Sequence, residues 1–491
     1  MVAISARKKT SAFFRSKGYI LLIMLATLGA WVAKIPYIAI AAYCAAMLVI
    51  VLLEKEMTGM VPIVLCAPFI FAESSLLNTR EMTIMLSVLI GVYLICCLIY
   101  YEKQKLVMHF NRGLIAFLLL GLALLAGGLI NKQLFSRGWF VGLQIILGMT
   151  SLYILLCNLI KTNWKLFFTQ SLVGASIVVM AQFWLSLILG GGDFFDNLVA
   201  GGFNLGWGDA SAVAMALIVL APFSLYLAMR ARRPLAYSIL YALNLITILA
   251  TGESLALLVM IVFTVIMLSY GLVRARKPKR IIAQLAAIGV IVIALLLAFP
   301  LVTPVLTNAL KPGLGDVLIN WEIALTEFIN GEKLLGNGFG FNSPFSGGGV
   351  NILWYNSSIL QVLNNLGIVG LVLFAGFTVY KYILIGSSFS VFSKMSAFAL
   401  MAAGAYAALS TNYFKAYHLL PMVILLFIAY NDMVIRTRGD YGIKRYRLRL
   451  DNYRFVYGKS NKYKEKIKVA NPNYKYYKLK LETKGKFFDE I

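Results

Sequence analysis

Histidine is nearly absent from this sequence: only His109 and His418 occur in 491 residues. A multi-histidine metal centre is therefore excluded. Cysteine is scarce as well. The five thiols, Cys44, Cys66, Cys96, Cys97 and Cys157, all fall inside apolar runs. They lack both metal-ligand spacing and the pattern of a disulfide framework, and they read as small packing residues. Charge is the third shortage. Charged residues make up 13% of the chain and hydrophobic residues 60%, a balance foreign to a soluble domain.

What is present is a succession of apolar runs of about 20 residues, each long enough to cross a hydrocarbon core of about 30 Å. In lipid a backbone must satisfy its own polar groups within the segment, so such runs are helices. The expected fold class is an all-α polytopic membrane protein. The segments are 19–33, 36–53, 58–73, 82–101, 113–130, 139–160, 166–189, 209–229, 234–250, 254–273, 281–301, 358–384, 392–410 and 416–432, about 14 spans. The basic start, "MVAISARKKTSAFFRSKG", could serve as the n-region of a signal peptide. No small-x-small cleavage site follows it, and the first run reads as an uncleaved helix.

Placing the N-terminus in the cytoplasm and alternating puts Lys34, Arg80, Lys132, Arg137, Lys311, Lys333 and Lys415 outside and the other 38 of 45 basic residues inside. The positive-inside rule predicts this asymmetry, and it favours an even span count with both termini inside. The expected division is a cytoplasmic N-terminus (1–18), eleven spans (19–301), an extracytoplasmic loop (302–357), three spans (358–432) and a basic cytoplasmic tail (433–491). Much of the net charge of +25 lies in that tail. Its Lys, Arg and Tyr suit an anionic inner leaflet at about 1 kcal/mol per basic residue, or a cytoplasmic partner. Little else points to nucleic acid.

Two outer segments are long, 190–211 and about 302–357. Within the second, "GDVLINWEIALTEFINGEKLL" reads as an amphipathic helix with Trp321, Ala324, Leu325 and Phe328 on one face, lying at the membrane interface. "GNGFGF" ends it. An aromatic pair, Trp354-Tyr355, and a polar cluster, Asn356-Ser357-Ser358, then lead into the next span. Long ordered loops of this kind are usually functional.

The block "EKLLGNGFG…WYNSSILQVLNNLGIVGLVLF" resembles the signature region of the O-antigen ligase / O-antigen polymerase superfamily. The matching positions are Gly336, Gly338, Phe339, Leu360, Gln361, Leu363, Gly367, Ile368 and Gly370, with Trp321 fitting the Leu-Trp that precedes the turn. "LGWGDASAVAMALIVLAPFSLYLA" (205–228) and "ATGESLALLVMIV" (250–262) resemble two further blocks of Gram-positive members. The resemblance covers roughly residues 125 to 430. It implies a lipid-dependent glycosyltransferase of GT-C-like architecture in the bacterial cytoplasmic membrane. Such an enzyme takes a glycan linked to a polyprenyl diphosphate at the outer leaflet and passes it to a hydroxyl of an acceptor glycan. Neither a metal nor another cofactor is implied, since the diphosphate is already an activated leaving group.

The sequence departs from that pattern at three places. The motif histidine falls at Asn356, the arginine of the second block at Ser254, and the arginine before the Leu-Trp at Asp316 or Val317. The chemistry needs a cation for the departing diphosphate and a group to orient or deprotonate the attacking hydroxyl. Asparagine can hydrogen-bond a hydroxyl but cannot take its proton. Candidates for a rebuilt site follow. Arg80 and Arg137, with Lys132, sit at outer helix ends, where they hold a diphosphate or simply snorkel. Glu253 is either a charge favourable to a helix N-terminus or a catalytic carboxylate. His418 is a buried structural histidine or a base. Trp354 and Tyr355 would shape a sugar-binding rim, and Asn356 and Ser357 would offer hydrogen bonds at a helix N-terminus, which also favours anions. Two other classes stay open: a lipid-linked oligosaccharide flippase, and an inactive scaffold of a glycan assembly complex.

Overall fold

The structure, a computed structural model, describes residues 13–54, 57–71, 79–104, 165–189, 210–230, 234–274, 314–337, 355, 357–386 and 391–409, with 119, 122, 123, 126, 129 and 289 as single positions. Every regular element among them is helical. They are α1 (Lys17–Val32), α2 (Pro36–Leu53), α3 (Met60–Cys66) flanked by 3₁₀ turns Met57–Gly59 and Ala67–Phe71, and α4 (Thr79–Gln104). Then come α5 (Lys165–Leu189), α6 (Ala210–Arg230), α7 (Pro234–Ala250), α8 (Ser254–Arg274), α9 (Leu314–Asn330), α10 (Ser358–Gly386) and α11 (Val391–Leu409). Helices α2, α5, α6 and the first part of α10 are long and apolar enough to cross a membrane. Apart from those single positions, the spans expected at 113–130, 139–160, 281–301 and 416–432, and the basic tail, lie outside the described residues.

Local rules account for the boundaries. Ser16 caps α1, its Oγ accepting from Tyr19 N–H at 3.1 Å, as an N-cap serine does. Pro36 opens α2, where its missing N–H costs nothing. The joint at Thr251–Glu253 turns through Gly252 at φ +74°.

Helix α6 is the pillar of the bundle: 94% of its membrane-length window is buried, and it packs on α5, α7, α8 and α11. A helix apolar all round belongs in such an interior. Its alanines at 212, 214, 216 and 221 are fully enclosed, letting neighbouring backbones approach closely.

Specific polar contacts sort the helix ends into two groups. Tyr19 O–H donates to Gly59 O (2.9 Å), Arg15 lies 3.8 Å from Glu54, and Lys103 Nζ donates to the carbonyls of Val51 (3.0 Å) and Leu52 (2.7 Å). The start of α1, the end of α2 and the end of α4 thus meet at one end. At the other, Gln182 Nε2 donates to Phe69 O (2.7 Å), Trp184 Nε1 to Thr247 Oγ1 (3.0 Å) and Tyr406 O–H to Glu253 (3.0 Å). The start of α1 thus lies with the ends of α2 and α4, and the ends of α5 and α7 lie with the start of α8. Helices α10 and α11 pack together across a four-residue joint. The beginning of α10 therefore lies at the end that holds Glu253.

Candidate functional site

Helix α9 lies against the first turns of α10, and its buried arc differs from the expected one. Ala324 and Glu327 face inward, Trp321 and Phe328 are half-buried, and Leu325 is 44% exposed. The inward face is rotated by about one residue, so that a carboxylate replaces a leucine. The physical reason is the partner surface: the start of α10 presents polar groups. Asn364 Nδ2 donates to Ala324 O at 2.9 Å, and the Tyr355 hydroxyl donates to the Glu327 carboxylate. Leu318, Ile319, Leu325 and Ile329 form the exposed face, which suits the interfacial placement expected of this helix.

After α9 the chain turns back through Gly331–Asn337 and locks into a break in α10. Gly367 has φ +65° and ψ −166°, so α10 is two helical pieces rather than one. The second piece begins with unsatisfied amides, as every helix does. Here Ile368 N–H donates to Lys333 O (2.9 Å) and Val369 N–H to Leu334 O (3.1 Å). The first piece ends with carbonyls to satisfy, and Asn337 N–H donates to Asn364 O at 2.7 Å. Gly336, at φ +75°, and Gly367 touch backbone to backbone. A Cβ on Gly336 would lie 2.4 Å from Gly367 N, and one on Gly367 would lie 2.3 Å from Leu334 O. Gly336 and Gly367, 31 positions apart, thus meet in one structural unit.

Around this unit lies a buried polar group. Gln361 Oε1 accepts from Tyr355 N–H (3.0 Å), Gln361 N–H donates to Ser357 O (3.0 Å), and Asn337 Oδ1 accepts from Glu332 N–H (3.0 Å). Ten buried side-chain polar atoms lack a hydrogen-bond partner among the described residues, and five belong here: Trp321 Nε1, Glu327 Oε1, Asn337 Nδ2, Asn364 Oδ1 and Asn365 Nδ2. Native interiors leave few such atoms. All five belong to α9, the turn after it or the first turns of α10. Burial first, then the adjoining Glu327 carboxylate, holds the Tyr355 phenol well above its ordinary value.

The residues singled out from the sequence fall as follows. Tyr355 is 2% exposed. It is buried beside Glu327, to which its hydroxyl donates. Ser357 caps α10, with Leu360 N–H donating to its Oγ at 3.4 Å. Glu253 precedes α8 and its carbonyl accepts from Leu257 N–H (3.1 Å), while its half-buried carboxylate receives Tyr406 from α11. It thus combines a helix-terminus position with a specific partner. Arg80 stands in the first turn of α4, at the end opposite Lys103; its side chain lies outside the described residues. Lys132, Arg137, Trp354, Asn356 and His418 lie outside them too. Glu327, Asn337, Asn364 and Asn365 escaped the sequence reading. The signal was there: an acid on the apolar arc of α9, and a pair of asparagines in the opening turns of a membrane helix. No metal-binding group of three or more ligands occurs among the described residues.

No protein-family model matches the chain, and no curated protein matches it.

Proposed function

We propose that the chain is a membrane glycosyltransferase that polymerises or ligates polyprenyl-diphosphate-linked glycan repeats at the outer face of a bacterial cytoplasmic membrane. One observation carries this reading. The two glycine blocks through which the sequence resembles the O-antigen ligase / O-antigen polymerase superfamily dock on each other through Gly336 and Gly367. They adjoin buried polar side chains at the start of α10, whose apolar stretch Ser358–Gly376 contains the break at Gly367. The cluster offers hydrogen bonds to sugar hydroxyls. The bundle end that carries it also carries Arg80 in the first turn of α4, a cation suited to a diphosphate.

The broken helix α10 also supports a second reading. Discontinuous helices with polar groups at the break build substrate sites in transporters, so a flippase for the same lipid-linked glycan competes. The size distribution of surface and lipid-linked glycan, in cells with and without the gene, separates the two. Complementation uses wild type, Arg80→Ala and Arg137→Ala. A polymerase deletion collapses long chains to single lipid-linked repeats, and the arginine variants fail to restore them. Long chains retained on the carrier indicate a ligase. Repeats trapped on the cytoplasmic side indicate a flippase, and unchanged chain lengths refute the transferase.

A further inference from the structure

We propose that Glu327 takes the proton from the acceptor sugar hydroxyl, with Tyr355 as its positioning residue; this rests on the transferase reading above. A general base needs a free lone pair, an orienting partner and shielding from bulk water. Glu327 has all three. One carboxylate oxygen receives the Tyr355 hydroxyl, the other has no hydrogen-bond partner among the described residues, and the residue is 8% exposed. Tyr355 is itself fixed: its N–H donates to Gln361, and Gln361 N–H donates to Ser357 O, so the carboxylate is aligned from the N-terminus of α10.

The other acids nearby do not fill this role. Glu322 faces outward on α9, and Glu332 Oε1 accepts from Leu334 N–H two residues on. Glu253 is engaged by Tyr406. Asn356 adjoins Tyr355 and cannot accept a proton. A buried Glu-Tyr pair could be no more than a pin between α9 and α10. For a pin alone a neutral glutamine would serve at lower cost, since an ionised carboxylate oxygen buried without a partner among the described residues is penalised more than an amide.

In the step itself, the acceptor oxygen forms a bond to the anomeric carbon as the bond from that carbon to the diphosphate oxygen breaks. The diphosphate leaves with the bonding pair. The hydroxyl proton passes to Glu327 Oε1 and is later released to water.

The test uses the full chain in lipid nanodiscs with lipid-linked glycan extracted from the deletion strain as donor. Glu327→Gln keeps the size and the contact with Tyr355 but cannot take a proton. It should lower kcat by about 10²- to 10⁴-fold, with KM within threefold and an unchanged melting temperature. Formate should restore part of the turnover of Glu327→Ala, which a mere pin would not allow. Tyr355→Phe should lose about tenfold and gain nothing from formate. If Glu327→Gln does not fold, Glu327→Asp decides: reduced turnover supports the base, wild-type turnover overturns it. Wild-type kcat in Glu327→Gln refutes the proposal and leaves the transferase reading intact. A wild-type protein that elongates nothing, from a strain whose deletion leaves glycans unchanged, refutes the transferase reading itself.

Discussion

Gly367→Ala is the sharpest perturbation of the unit that organises the site. At φ +65° and ψ −166° the residue occupies a region that is essentially glycine's alone, and an alanine held there costs about 1–3 kcal/mol. The new Cβ would also lie 2.3 Å from Leu334 O, 2.4 Å from Leu334 C and 2.6 Å from Gly336 N. All three are backbone atoms, so no side chain can swing away and the segment Lys333–Asn337 must lift. Lifting it breaks the bonds from Ile368 and Val369 to Lys333 and Leu334, at about 1 kcal/mol net for each. The sum is about 3–5 kcal/mol, and since each 1.4 kcal/mol is a factor of ten, local opening should rise on the order of 10³-fold.

Hydrogen exchange on the protein in nanodiscs reads this directly. The amides of Asn337, Ile368 and Val369 should lose protection together, while those in the middle of α6 stay protected. Gly376→Ala is the control: nothing lies within 4 Å of its Cβ, and it should be neutral or slightly stabilising by helix propensity. Unchanged protection at Ile368 and Val369 in Gly367→Ala would refute the account of the broken helix.

Three other outcomes follow from the same geometry. Gly174→Val should separate α1 from α5 and cost about 1–3 kcal/mol by overpacking, because even a Cβ there meets Met24 Sδ at 2.9 Å and Ile20 Cγ2 at 3.1 Å; a melting temperature equal to wild type would contradict it. Tyr355 has its phenol pushed above the ordinary value of 10.0, so the fold favours the neutral form. Its stabilising effect, read as wild type minus Tyr355→Phe, should be flat below about pH 10, where the phenol is neutral folded and unfolded, and should shrink above it. A difference that grows with alkalinity would reverse the sign. Cysteine placed at Gly252 and at Glu102 should label from opposite sides of the membrane with an impermeant maleimide, since the contacts of Glu253 and Lys103 put these positions at opposite ends; labelling from one side would break the alternation.

The helical class was legible because run length acts locally, and four of the expected segments are helices long and apolar enough to cross a membrane. Pro234 and the joint at Thr251–Glu253 bound α7 in the sequence as they do in the structure. The break in α10 was not legible, because "NNLGIVGLVLF" is as apolar as an unbroken helix. What breaks it is the Lys333–Asn337 segment, which supplies carbonyls and an amide from about 30 residues upstream. Glu327 was hidden for a related reason. Ranking the face of α9 by apolar residues put Leu325 inside, which holds when the neighbour is an apolar core. The neighbour here is the polar opening of α10, with Tyr355 and Asn364, and against it the carboxylate is the residue better buried. An acid one turn from Ala324, followed by two glycines at positive φ that fit each other, is thus a single pattern. The glycines bring α10 against α9, and that contact gives Glu327 the Tyr355 hydroxyl as a partner while its second oxygen stays buried with no hydrogen bond among the described residues.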